Sequence, residues 1–158
     1  MDRDLCLIVN PTAGAGRAAK LLGGVEAELR GMGLRFRVER TTSMDHAREA
    51  AREAAAAGEI VAAMGGDGLT GAVAGELRDG AAVLAVLPGG RGNDFARALG
   101  IPRDPAGAAR VAVEGRERDA TCALLDENRL IAVLRKHDSP SFLLASSRTI
   151  CPAPQGDK

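Results

Sequence analysis

The chain has 158 residues, 46% hydrophobic and 27% charged, with 21 basic and 21 acidic side chains and a net charge of zero. That length and composition fit one globular domain with a single core and exclude a disordered chain. Balanced charge and a near-absence of aromatics (three Phe, no Trp or Tyr) exclude a nucleic-acid partner, which needs a basic surface or stacking platforms.

Leu5–Val9 is a continuous apolar run and predicts a strand buried on both faces, stopped by Asn10 and Pro11. Leu21, Leu22, Val25, Leu29 and Met32 recur at helical spacing, so a helix is expected from Arg17 to Met32, with Gly31 and Gly33 as the stop. Residues 34–40 alternate, with Leu34, Phe36 and Val38 on one face and Arg35, Arg37 and Glu39 on the other. They predict a strand with one wet face, near a sheet edge. Ser43 or Asp45 caps a helix running to Ala57, which Gly58 ends. Strands follow at Ile60–Met64 and Val83–Leu87, and helices at Leu69–Leu77, Asn93–Leu99 and Pro105–Val113. Ala120–Leu125 and Leu130–Leu134 predict two strands joined by a turn at Asp126–Asn128. Beyond Leu134 the pattern weakens, and only Phe142–Ala145 suggests an element, so residues 135–158 are expected to be a weakly ordered tail.

Alternation of strands and helices from Leu5 to Val113 predicts an α/β fold: three layers, a doubly wound and mostly parallel sheet, helices on both faces. Ligands of such sheets collect beyond the carboxyl ends of the strands. The unusual residues sit there: "NPTAGAG" after the first strand, "TTS" after the second, "GGDGLTG" after the third and "PGGRGND" after the fourth. Glycines let backbone N–H groups approach a ligand, and a helix amino terminus favours an anion. Loops at Gly14–Gly16, Gly65–Gly68 and Gly89–Gly92 together predict a polyphosphate cradle. Asp67 would repel phosphate unless Mg²⁺ lies between; the alternative for Asp67 is a structural cap. "GAGRAA" matches a dinucleotide fingerprint only loosely, because four residues separate it from the strand, and no Walker-type loop occurs.

"NPTAGAG", "GGDG" and "LPGGRGNDFARALGIP" together resemble the catalytic domain of the diacylglycerol kinase family, bacterial lipid kinases related to sphingosine kinases and, more distantly, NAD kinases. The resemblance runs from about Leu5 to Leu134. It implies a nucleotide-binding domain over residues 1–134 that uses ATP and Mg²⁺ to phosphorylate a lipid hydroxyl. The implied nucleotide contacts are Asn10, Pro11, Thr12, Ala13 and Gly14; Thr41; Gly65, Gly66, Asp67 and Gly68 with Leu69, Thr70 and Gly71; and Arg91, Asn93 and Asp94. Asp67 is the implied metal contact. Two positions depart from the family pattern: Leu69 stands where a Thr follows GGDG, and Arg91 where a Thr often precedes Gly92. The family's proton acceptor belongs to a β-rich second domain, which the tail does not resemble, so the catalytic residue stays unassigned. His137 and Asp138 lie in that tail and are expected to be exposed surface.

An ATP-binding part with little turnover of its own is therefore expected. The alternatives are a catalytically dead binding module and a NAD-kinase-like enzyme, the latter disfavoured by the "GGRGNDFAR" run. Three widely spaced cysteines and an opening apolar run too short for a signal peptide point to the cytoplasm. A lipid acceptor is compatible with peripheral membrane contact, and an open sheet edge with a homodimer.

Overall fold

A computed structural model describes residues 3–78, 81–126, 129–133 and 145–151. The elements in chain order are β1 (Leu5–Val9), α1 (Ala13–Gly31), β2 (Phe36–Arg40), α2 (Met44–Ala56), β3 (Ile60–Gly65), α3 (Asp67–Glu76), β4 (Val83–Pro88), α4 (Asp94–Ala98), α5 (Pro105–Glu114), β5 (Arg116–Asp126), β6 (Arg129–Val133) and β7 (Ala145–Cys151). They form one seven-stranded sheet in the order β2-β1-β3-β4-β7-β5-β6. β2, β1, β3, β4 and β7 all run in one direction, and β5 is antiparallel to both β6 and β7.

The central strands are apolar because they are covered twice. Every residue of β1, β3 and β4 is buried, whereas β2 is half-exposed, as its alternating sequence demands. α1 packs with α5, and α2 with α3. α2 meets β1 and β3 through Ala47, Ala50, Ala51 and Ala54, a stripe at i, i+3, i+4 and i+7. Small side chains let that helix lie close to the sheet. Phe95 supplies the one fully buried aromatic among the described residues.

Helix caps follow the local sequence. Ser43 Oγ accepts the His46 N–H at 3.1 Å, which decides between Ser43 and Asp45 as the α2 cap. Asp104 accepts the Gly107 N–H at 2.7 Å before Pro105 opens α5.

Several elements differ from expectation; β5, expected from Ala120, begins at Arg116. α3 begins at Asp67, with Gly66 as its cap residue, so the glycine loop is partly the helix itself. β7 comes from the segment expected to be weakly ordered and pairs with both β4 and β5. Its sequence, "ASSRTIC", carries no alternation to announce a strand; its place is set by two neighbours. The turn at 127–128, residues 134–144 and hence His137, Asp138 and Phe142 lie outside the described residues.

Candidate functional site

The chain leaves β1 toward β2 on one side and reaches β3 on the other, so the direction of winding reverses between β1 and β3. A doubly wound sheet opens a crevice at that point, beyond the carboxyl ends of its strands. Asn10, donating its N–H to the Met64 carbonyl at 3.2 Å, ties the two strand ends together there.

Three glycine loops meet at this crevice through their backbones. A Cβ on Gly14 would stand 2.7 Å from the Gly89 carbonyl oxygen. One on Gly90 would stand 2.5 Å from Gly66 Cα, and one on Gly89 would stand 2.9 Å from Ala18 Cβ. Only glycine permits such approaches. The convergence expected from the sequence is therefore physical contact: the β4 loop lies against both the β1 and the β3 loop.

The loops do different work. After β1, Asn10 Oδ1 accepts the Thr12 N–H at 3.0 Å and the Thr12 hydroxyl at 2.8 Å, closing a tight turn. Gly14, Ala15 and Gly16 follow with φ of 62°, 59° and 83°, a left-handed run before the regular part of α1. This geometry leaves the Gly14 and Ala15 N–H groups without a hydrogen bond among the described residues. Ala15 adopts it despite its Cβ, at a cost of about 1–2 kcal/mol.

After β3, α3 starts with no side-chain cap. Its first backbone acceptor bond is Thr70 N–H to the Gly66 carbonyl at 3.1 Å, so the N–H groups of Asp67 and Gly68 remain open at the positive end of the helix dipole.

The β4 loop is the scaffold. The Gly89 and Gly90 N–H groups both donate to the Gly65 carbonyl, at 2.8 and 3.0 Å. Asn93, in the left-handed region at φ 55°, is buried and closes the loop on Gly90 in both directions: its Oδ1 accepts the Gly90 N–H at 2.9 Å and its Nδ2 donates to the Gly90 carbonyl at 2.8 Å. Asp67 crosses from the β3 loop to cap α4, its two oxygens accepting the Asp94 and Phe95 N–H groups at 3.1 Å each. Asp94 is ion-paired with Arg97.

The remaining sequence-derived candidates separate by burial. Asn10, Pro11, Ala13, Gly14, Gly66 and Asp67 are half-exposed on the rim, and Thr12, Gly68, Arg91 and Asp94 are exposed. Gly65, Leu69, Thr70 and Gly71 are buried. Leu69 packs on Gly65, where a Cβ would be 2.8 Å from Leu69 Cδ2. Thr70 donates its hydroxyl to the Gly66 carbonyl at 3.2 Å, so it does not stand in for the hydroxyl missing at 69. Thr41 is also buried and bonds the Val9 carbonyl through both its N–H, at 2.8 Å, and its hydroxyl, at 3.1 Å, fixing the loop after β2 beside the crevice.

Arg17, in the first turns of the helix after the β1 loop, reads from the sequence either as a phosphate contact or as ordinary surface charge. It lies directly below the left-handed run, its Cβ 3.1 Å from a Cβ placed on Gly14. Neither Arg17 nor Arg91 makes an ion pair among the described residues, whereas eight other arginines there do. The signal was its place in the first turn after a glycine loop. Among the described residues no three His, Cys, Asp or Glu side chains gather as a metal cluster. Asp67 keeps a second lone pair on each oxygen after capping α4. A Mg²⁺ borne on phosphates needs only one or two carboxylates, directly or through water, so Asp67 fits that role. No helix among the described residues is long and apolar enough to cross a membrane.

Residues 4–125 match the family described as "Diacylglycerol kinase catalytic domain". The chain is 40% identical over 101 residues to a diacylglycerol kinase of Bacillus subtilis, covering 62% of this chain and 33% of that protein. It is 42% identical over 111 residues to a YegS-like lipid kinase of Pseudomonas aeruginosa, covering 68% of this chain and 36% of that one. A crystal structure of a diacylglycerol kinase from Bacillus anthracis superposes with a TM-score of 0.67 at 28% identity, over 76% of this chain and 46% of that chain. The chain thus spans about a third of the length of these curated relatives. With the family match running through all three glycine loops and α4, the chain belongs to the diacylglycerol kinase catalytic-domain family.

Proposed function

We propose that this chain holds ATP by its triphosphate in the β1–β3 crevice, as the nucleotide-binding part of a kinase that phosphorylates a lipid hydroxyl such as that of diacylglycerol. The observation that carries this reading is the uncapped amino end of α3, whose open N–H groups join those of Gly14 and Ala15 at the sheet's switch point. Free donors on a helix dipole favour an anion. Arg17 and Arg91, without an ion pair among the described residues, add two guanidinium groups suited to phosphate oxygens. Lipid as the acceptor rests on relatives named as lipid and diacylglycerol kinases.

In this reading Asn10, Pro11, Thr12, Ala13 and Gly14 form one wall, and Gly66, Asp67 and Gly68 the other. Gly65, Leu69, Thr70, Gly71, Asn93 and Thr41 support them from inside, and Asp94 sits at the margin. Mg²⁺ on the phosphates would be held by Asp67 and would neutralise charge as the phosphoryl group moves. Asp67 is engaged with α4, Asp94 with Arg97, and His46 lies 3.4 Å from the Thr42 N–H. Each of these groups thus already has a partner among the described residues, and none of them is assigned here as the base that takes the acceptor's proton. This favours nucleotide binding with little transfer by these residues alone.

Calorimetric titration tests the reading. ATP is expected to bind where adenosine does not, and Arg17→Ala and Arg91→Ala are each expected to weaken ATP by about tenfold, the lower value for one hydrogen bond to a charged group. A chain with native circular dichroism that binds no ATP refutes it. Labelled ATP with Mg²⁺ and either diacylglycerol micelles or NAD tests the acceptor; transfer to NAD would overturn the lipid assignment.

A further inference from the structure

β2 and β3 both run parallel to β1, so α2, which joins them, returns from the carboxyl end of the sheet to its amino end. Its first turn therefore stands at the same rim as the glycine loops. Met44 opens that turn. It lies three residues before Ala47 and seven before Ala51, in phase with the alanine stripe that α2 lays on the sheet. Met44 thus continues the core-facing side of the helix one turn beyond the buried stripe. There it is 40% exposed, the one exposed large hydrophobic side chain among the described residues.

Met44 points to the start of α3. A Cβ on Gly68 would meet Met44 Cε at 3.9 Å and no other atom outside its own turn of α3 within 4 Å. The thioether therefore borders the open N–H groups of Asp67 and Gly68 directly. Thr42, Ser43 and Asp45 beside it are polar and exposed, so this loop sends no second apolar side chain over it. An anion site with an apolar wall suits a particular kind of ligand. Inorganic phosphate gains from the donors and nothing from a methyl sulfide. A nucleotide carries both an anionic part and a flat aromatic one.

We propose that Met44 is the base contact of the crevice: its thioether lies against the face of the nucleotide's purine ring, which makes residue 44 a determinant of which nucleotide binds. The inference rests on the reading of the crevice as an ATP site and assigns the part of the ligand that the glycine loops leave unread. Backbone N–H groups hold a triphosphate, and the triphosphate is the same in every nucleotide. Discrimination must come from a side chain that touches the base. Methionine suits an aromatic face, being unbranched, adaptable and polarisable at sulfur. A purine offers two fused rings to that contact and a pyrimidine one, so dispersion against the thioether favours the purine.

Calorimetric titration of the whole chain with ATP, UTP and inorganic tripolyphosphate, each with Mg²⁺, tests it. The parent chain is expected to bind ATP more tightly than either of the others. Met44→Ala is expected to weaken ATP by about two- to tenfold, to narrow the gap between ATP and UTP, and to leave tripolyphosphate unchanged. Met44→Leu keeps the apolar bulk and is expected to recover most of the ATP affinity. Carbon-13 labelling of the methionine methyl groups gives a second readout. The Met44 resonance, identified by its absence from Met44→Leu, is expected to move upfield under the ring current of ATP and to stay in place with tripolyphosphate. ATP binding that leaves this resonance where tripolyphosphate leaves it overturns the proposal while the nucleotide reading stands. So does a loss of ATP affinity in Met44→Ala no greater than the loss of tripolyphosphate. If the folded parent binds neither ATP nor tripolyphosphate, the proposal and the nucleotide reading fall together.

Discussion

Asp67→Ala removes both acceptors that hold the first two N–H groups of α4. Each bond is 3.1 Å long and made by a carboxylate. Hydrogen bonds to a charged group contribute about 1.5–3 kcal/mol when well shielded. Loss of a helix cap costs about 0.5–2 kcal/mol. Asp67 is half-exposed, so water replaces part of what is lost, and we take about 2 kcal/mol for both bonds together. For a chain of this size that corresponds to a fall in Tm of about 4–8 °C. Asp67→Asn keeps one acceptor but turns an NH₂ group toward the second N–H, so it should lose more than half of this. Thermal unfolding by circular dichroism, without nucleotide, measures the shift. Amide hydrogen exchange locates it, with protection falling at Asp94 and Phe95 and not at α2. Unchanged Tm together with unchanged exchange at those two amides would show that Asp67 does not cap α4, and the account of how the β3 and β4 loops are joined would fall with it.

Gly90→Ala drives a Cβ to within 2.5 Å of Gly66 Cα, so the two loops must part; a cost of about 1–3 kcal/mol and loss of ATP binding are expected in denaturant titration and calorimetry. Gly16→Ala meets no atom within 4 Å but keeps a φ of +83°, and should cost only about 1 kcal/mol of backbone strain, with ATP affinity less affected than in Gly90→Ala. Leu69→Thr restores the family's usual side chain, yet position 69 is buried against Gly65; it should destabilise by about 1–3 kcal/mol and leave ATP affinity unchanged once the folded fraction is allowed for. Burial pushes the Cys6 thiol from its ordinary 9.0 up to about 12. Between those values the unfolded chain gives up a proton that the folded chain retains. Stability is therefore full below pH 9 and falls as pH rises, by at most about 1.4 kcal/mol per pH unit. Urea midpoints from pH 8 to about 11 should show that decline in the parent chain and a shallower one in Cys6→Val; equal slopes would refute it.

The alternation of apolar runs and helical spacing was enough to place the elements from β1 to α5, because burial on two faces and burial on one face leave different periodicities in the residues themselves. The three glycine loops with the "GGRGNDFAR" run carried the family. The roles inside those loops were not legible. Gly65–Gly68 and Gly89–Gly92 look alike as strings, but one leaves its N–H groups open and the other donates them to Gly65. Asp67 suits a metal by chemistry alone, and only its position opposite α4 makes it a cap as well. β7 is a strand because β4 and β5 leave a gap between them, a fact about neighbours distant in sequence. Local pattern records which side of an element is wet. Hydrogen-bond partners are settled by which backbones the packed sheet brings within 3 Å of each other, and no stretch of sequence contains that by itself.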